Sequence, residues 1–498
     1  MAKPRERPDI AIIGAGFTGI AMGARLRRAG RDDFVILERA GEVGGTWRDN
    51  TYPGCACDVP SHVYSFSFAP NPNWSATYAP QAEILAYLRG VAVKEGLMDQ
   101  IRFGCEVEDA TWDEEEQRWR LQTTEGEFSV RALISAAGPF SEAAMPAVEG
   151  LDRFDGTVFH SADWDHDHDL SGDRVAVIGT GASSIQFMPQ IQPRVGKLHL
   201  FQRTPPWIVP RTVRPLTHIE QRLYRLAPSL QQGMRAAISL AREAFAVPMI
   251  RARASRIIEA ICRVHLRRQV PDRQLRASLT PDYSPGCKRI LISNDYLPSL
   301  TEPNVELITS GLAEVRERSV VAADGTEREV DTIIFGTGFR VTEPPIAERI
   351  HGRGGRNLAE AWADTGMQAL RGTTVTGYPN LFFLLGPNTG LGHNSVMLMG
   401  EAQVDYAVQA IEYLDRSGAA SADPLPSAQE RWNERVQELT QGTVWVAGGC
   451  ASWYLDRHGR NTTVWPSFST TFRRELRRYA PDEYAVRLPE PALEQVAA

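Results

Sequence analysis

Short apolar runs that end in glycine turns set the rhythm of this chain. Residues 9–38 read DIAIIGAGFTGIAMGARLRRAGRDDFVILE. That is an apolar run, a turn with Gly14, Gly16 and Gly19, a helix of small residues, and a second apolar run Phe34–Leu37. Strand, turn, helix, strand is the expectation. Residues 174–202, RVAVIGTGASSIQFMPQIQPRVGKLHLFQ, repeat the order. RALISAAG (131–138) and VDTIIFGTGF (330–339) each read as a buried strand running into a glycine turn, and YPNLFFLLGPN (378–388) as another buried strand. Residues 215–270 differ. Ile219, Leu223 and Leu226 keep helical spacing, and Pro228 and Pro248 cut the stretch into several helices.

The pattern predicts an α/β chain with two dinucleotide-binding, Rossmann-like domains, the second carrying a helical insertion. The expected boundaries are 1–145 for the first part of one dinucleotide-binding domain and 150–377 for the second with its insertion at about 211–280. Residues 378–498 would return to the first domain. A length of 498 residues agrees, being too long for one compact core.

Composition narrows the class. The chain is 43% hydrophobic and 23% charged, as ordinary globular proteins are. A net charge of −7 argues against a nucleic-acid footprint. Twelve Arg against three Glu between Arg211 and Arg268 make the insertion locally basic. Solvated helix faces are the preferred reading there, a membrane-surface or partner patch the lesser one. No apolar run approaches the roughly 18 residues of a transmembrane helix. The opening MAKPRERPDIAIIG enters a strand without a signal-peptide apolar region. Six cysteines, at 55, 57, 105, 262, 287 and 450, form no disulfide framework and no CxxC, so a reducing cytoplasm is expected.

The turns suggest their ligands. In G-x-G-x-x-G the first glycine permits the turn, the second lets the backbone approach a pyrophosphate, and the third lets helix and strand pack closely. Glu38, at the end of the second strand, suits a ribose hydroxyl. The second turn has Gly179 and Gly181, with Ser184 where a third glycine could stand. Its second strand runs into Gln202, Arg203 and Thr204 rather than an acid. An arginine there pairs with a 2′-phosphate, which favours NADPH over NADH. An exposed arginine with no partner is the competing reading.

Two such folds imply a flavin reduced by a nicotinamide, and the electrons need an outlet. Cys55 and Cys57 form CxC, a poor thiol relay. No Cys/His cluster has metal-ligand spacing, and a solvated loop is the better reading of His166 and His168. Oxygen remains. Reduced flavin and O2 give a C4a-peroxyflavin, which needs a dry pocket and a nearby cation.

Five segments resemble the type I Baeyer–Villiger monooxygenases, class B flavoprotein monooxygenases. GGTWRDNTYPGCACDVPSHVYSFSF (44–68) looks like their G-G-x-W…Y-P-G…D segment. FDGTVFHSADWDHD (154–167) fills F-x-G-x-x-x-H-x-x-x-W-[P/D] with Phe154, Gly156, His160, Trp164 and Asp165. YSPGCKRI (283–290), DTIIFGTGF and Ser452-Trp453-Tyr454 are similar to further family segments. The chain is shorter than the family's cyclic-ketone members, and DRHGRNTTVWP departs from their N-x-P-G-K loop. Both departures bear on the substrate.

The resemblance implies FAD, NADPH, O2 and a small-molecule ketone that becomes an ester or lactone through a Criegee adduct. It implies Arg289 as catalytic cation, positioned by Asp58, with an ordinary salt bridge as the competing reading. Thr46, Trp47 and Asp58, with Tyr52 and Pro53, would surround the flavin. Thr204 would join the NADPH site, and Lys288 and Arg203 would clamp its 2′-phosphate. His160 and Trp164 would lie in a hinge between the folds, and Trp453 would serve as a lid. An N- or S-oxygenating flavin enzyme is the alternative, and a non-catalytic FAD/NADPH-binding module a further one.

Overall fold

The computed structural model describes residues 8–452 and 454–489. Two parallel five-stranded sheets organise them. The first runs Leu381–Phe383, Ala132–Ser135, Ile10–Ile13, Phe34–Glu38, Ile101–Phe103. The second runs Val305–Ile308, Lys197–Phe201, Arg174–Ile178, Thr332–Phe335, Thr157–His160. In each, the strand that opens a glycine turn is central. A central parallel strand is covered on both faces, hence the unbroken apolar runs. Ile10 and Ile12 enter one core while Ala11 and Ile13 enter another. Val175 and Val177 share the core of Ile10 and Ile12, so apolar packing is continuous between the two sheets. The chain is α/β.

Antiparallel sheets flank the parallel ones. Val107–Asp113, Arg118–Thr123 and Gly126–Val130 form a meander whose Trp112 and Trp119 meet edge to face at 5.5 Å. Leu312–Val315, Ser319–Ala322 and Glu327–Glu329 cover the outer face of the second sheet.

The insertion is helical, as its spacing predicts: His218–Leu226, Pro228–Glu243, Ala246–Ile250, Arg256–Gln269 and Arg273–Ser278. Thr217 and Glu220 cap the first of these reciprocally. Pro228 opens its helix, but Pro248 lies inside the short helix Ala246–Ile250 rather than at a break.

Two expectations are corrected. Residues 347–377, assigned from sequence to the second domain, pack on the first. Ile350 and His351 pair with Ala110 and Thr111 of the meander, and Leu358, Trp362 and Val375 share the core of Ala11 and Ile13. A strand of two residues is too short to show a period. Second, one cysteine pair is bonded: Cys287 and Cys450 form a disulfide across 163 residues. No helix of the described residues is long and apolar enough to cross a membrane.

Candidate active site

The first glycine turn is held open by sterics. Gly14 has φ +99°, and a Cβ there would lie 2.9 Å from the Ala136 carbonyl oxygen. A Cβ on Gly19 would lie 1.9 Å from the Gly14 oxygen, so only glycine lets helix Phe17–Arg28 seat against the strand. That helix starts at Gly16 without a side-chain cap, which leaves its first N–H groups open to an anion. Gly45 closes over the same mouth, the site of its absent Cβ 3.3 Å from the Gly16 Cα. Thr46 and the buried Trp47 follow it, and the Trp47 indole donates to the Tyr64 hydroxyl at 3.0 Å. This glycine-lined cradle suits a dinucleotide pyrophosphate. Glu38 is buried at the strand end. Its carboxylate accepts from the Ala15 N–H at 2.8 Å, the Ala40 N–H at 3.0 Å and Arg48 at 2.9 Å. Two oxygens offer about four lone-pair sites, which leaves room for a ribose hydroxyl.

The second turn repeats the first with one exchange. Gly179 has φ +104°, and a Cβ there would lie 2.7 Å from the Gly336 oxygen. Ser184 is tolerated where a glycine could stand because Gly336 faces it. A Cβ on Gly336 would fall 2.0 Å from the Ser184 oxygen, so the missing side chain has moved to the opposite strand end. Thr180 donates to the Thr204 carbonyl at 3.2 Å, joining this turn to the next strand's exit. Arg203 is exposed there. Lys288 lies over the Tyr283 ring, and burial together with the Arg203 charge pushes its ammonium below the usual lysine range. Two cations held close enough to repel make a site for a dianion.

Between the turns lies the Asp58–Arg289 pair. Arg289 Nε and Nη2 both donate to Asp58 Oδ2, at 2.8 and 2.6 Å. The side chains keep 25% (Asp58) and 33% (Arg289) exposure although protein rings them, which is the geometry of an open recess. Burial would raise the Asp58 carboxyl, but the Arg289 charge and hydrogen bonds outweigh it and hold it below the usual range. The Asp58 charge raises Arg289 further above an already high value. The pair is therefore ionised across the physiological range.

The segment bearing Asp58 is also the joint between the two halves. Gln186, on helix Ser184–Ile191, accepts from the Tyr52 hydroxyl at 3.2 Å and the Ala56 N–H at 3.1 Å, and donates to the Ala56 carbonyl at 3.1 Å. Pro53 and Gly54 make the turn between these contacts. A Cβ on Gly54 would lie 2.8 Å from the Gln186 carbonyl oxygen. The thiols beside Asp58 are buried. Cys55 is pushed up to about 11, and Cys57 further.

FDGTVFHSADWDHD forms the edge strand Thr157–His160 and the loop after it. A Cβ on Gly156 would lie 2.2 Å from the Asp331 oxygen. Trp164 packs between Phe159 and Phe187, both at 5.1 Å. Asp165 caps the loop, accepting from the Asp167 and His168 N–H groups. His160 is buried and burial lowers its pKa, which favours the neutral ring. Its Nδ1 accepts from the Ala162 N–H at 3.0 Å, and its Nε2 has no hydrogen-bond partner among the described residues. Trp453 lies outside the described residues. Its neighbour Tyr454 is buried against Arg289, whose charge opposes the rise that burial imposes on the phenol.

Sequence reading missed three features. Gln186 sits in a helix that shows only its apolar period. Arg242 is a second cation whose charge reaches Asp58, and its Nε is buried without a hydrogen-bond partner among the described residues. Its seven-residue offset from Arg235, which caps the His62, Val63 and Ser65 carbonyls, was the available signal. Glu243 is the third. It accepts from Asn394 at 2.8 Å and from the Ser469 N–H at 3.1 Å, with the Ser469 hydroxyl and His393 beside it.

Two parallel sheets, each ending in a glycine cradle, with an ion pair in a recess between them, define an α/β oxidoreductase architecture. Residues 11–239 match the family model described as pyridine nucleotide-disulphide oxidoreductase. A Baeyer-Villiger monooxygenase of Streptomyces coelicolor is 52% identical over 98% of this chain and 94% of its own length. Among solved structures, an oxidized steroid monooxygenase bound to NADP is 32% identical with a TM-score of 0.83, over 96% of this chain and 99% of that one. The OTEMO complex with FAD and NADP is 26% identical with a TM-score of 0.86, over 97% and 100%. The chain belongs to the Baeyer–Villiger monooxygenase family. It is an oxidoreductase of monooxygenase type.

Proposed function

We propose that the protein inserts one oxygen atom of O2 beside the carbonyl of a ketone, giving an ester or lactone at the expense of NADPH. The single observation that carries this reading is the ionised Asp58–Arg289 pair in the recess between the two glycine turns. In this reading the first sheet is the FAD domain and the second the NADPH domain. The cradle at Gly14, Gly16 and Gly19 holds the FAD pyrophosphate, and Glu38 takes a ribose hydroxyl. Gly179, Gly181 and Ser184 receive the NADPH pyrophosphate, with Thr204 at their rim. Arg203 and Lys288 receive its 2′-phosphate.

Bound FAD, once reduced by NADPH, supplies the activation of oxygen. This chain's residues supply the surroundings. Arg289 cannot lose its proton, so it can stabilise negative charge that develops on oxygen in the recess and on the adduct at the ketone carbon. Asp58 orients the guanidinium and leaves its Nη1 uncommitted to Asp58. Trp47, Tyr52 and Pro53 line the flavin side and exclude water. His160, neutral and buried at the sheet edge, acts in the hinge with Trp164.

The test is Arg289→Ala. Flavin binding, read from the visible spectrum, is expected to survive, while ester formation falls by at least about 100-fold, the scale of losing one charge-stabilising donor. Ester formation at the wild-type rate would remove Arg289 from the reaction.

A further inference from the structure

The chemistry that the oxygenation reading leaves unused lies two residues from Arg289. Cys287 is bonded to Cys450, while Cys55, Cys57, Cys105 and Cys262 are free and buried. The two bonded residues differ in exposure. Cys287 is fully buried, whereas Cys450 is partly exposed between the exposed Gly449 and Ala451. The segments they join lie directly on one another. The Ser284 N–H donates to the Gly448 carbonyl at 2.8 Å. A Cβ on Gly448 would lie 2.7 Å from the Cys287 Cβ, so only glycine permits the approach. One segment continues into Lys288 and Arg289. The other continues into Ser452 and the buried Tyr454, which rests against Arg289. The bond therefore ties the backbone that leads into the two cations to the backbone around Gly448.

We propose that Cys287–Cys450 is a reversible redox-modification site that sets how firmly Gly448–Cys450 holds to the Ser284–Cys287 backbone leading into Lys288 and Arg289, and so how tightly NADPH is retained. Opening needs a dithiol. Its thiolate attacks Sγ of Cys450, the more exposed of the two residues, the S–S bond breaks, and the electron pair leaves on Cys287 Sγ, which takes a proton. The second thiol then displaces Cys450, so two electrons and two protons pass from the dithiol to the protein and a second disulfide is released. Closing needs a peroxide. Two thiols and one hydrogen peroxide give one disulfide and two waters. In a thiol-reducing compartment the bond opens, and under peroxide it forms.

The experiment has two readouts on the full chain with its flavin. Thiols are counted after denaturation, for peroxide-treated and dithiothreitol-treated protein. Four are expected in the first and six in the second, matching the four free cysteines and one bond of the structure. NADPH kinetics are then compared. Reduction is expected to raise the KM for NADPH by at least about fivefold, a typical coupling between sites, and reoxidation to restore it. Cys450→Ser is the variant of choice because Cys450 is the more exposed of the two residues. It is expected to show the reduced behaviour and no response to dithiothreitol. Six thiols after peroxide would overturn the bond. Four thiols with unchanged kinetics would overturn its control of NADPH. The kinetic arm rests on the proposed function, but the thiol count does not, so the two failures are distinguishable.

Discussion

Arg203 and Lys288 face each other where a NADH-specific fold would place an acid. The Arg203 charge, together with burial, works against the Lys288 ammonium, and no described carboxylate forms an ion pair with either. A 2′-phosphate would relieve that repulsion, whereas NADH has nothing to offer it. Arg203→Ala is therefore expected to raise the KM for NADPH by about tenfold or more and to leave that for NADH nearly unchanged. An equal rise with both cofactors would remove Arg203 from the phosphate site. Arg203 was legible because its position follows from the strand that precedes it. The pairing of Asp58 with Arg289 was legible only through the segments around them, since nothing in spacing tells one arginine's partner from another's. Arg242 was not legible, because what makes it notable is the absence of a partner, and that exists only in three dimensions.

Helices His218–Leu226 and Pro228–Glu243 show what periodicity does and does not reveal. Spacing predicted the insertion's helices, but not which faces they bury. Ile219, Leu223 and Leu226, at helical spacing, lie 73%, 48% and 73% exposed, while Tyr224 and Gln231 turn inward. The inward face is polar because it caps backbone carbonyls of another segment: Arg235 serves those of His62, Val63 and Ser65, and Gln231 that of Asn71. At the helix end, Glu243 pins the insertion to Asn394 and Ser469 of the first domain. Burial would raise its carboxyl, but the bonds to His393, Ser469 and Asn394 lower it from 4.5 to about 2. A carboxylate depressed in the fold stabilises fully above its unfolded value and loses that contribution as pH falls through its folded value. Glu243→Gln is thus expected to lower the urea midpoint at neutral pH, with the gap to wild type narrowing as pH falls from about 4.5 toward about 2. A gap that stays constant with pH would mean the carboxylate charge is not what holds this joint.

At the scale of the molecule, two sheets of the same construction each end in a glycine turn, and the bonds of Tyr52 and Ala56 to Gln186 are among the joints that cross between their halves. The sheets were legible because central parallel strands are apolar on both faces, which leaves runs that need no partner to recognise. The assignment of 347–377 failed because its strand is two residues long and its loyalty is decided by packing. The Cys287–Cys450 bond was missed because a separation of 163 residues carries no pattern. The proposed function is that of an enzyme that brings a reduced flavin, O2 and a ketone to the Arg289 guanidinium. The direct test supplies NADPH, a panel of linear, cyclic and aryl ketones with a thioether, and O2 labelled with heavy oxygen, and weighs the products. The account predicts an ester or lactone carrying one labelled oxygen atom from at least one ketone, lost in Arg289→Ala. Labelled sulfoxide with no ester from any ketone, or NADPH consumed with only hydrogen peroxide released, would contradict it.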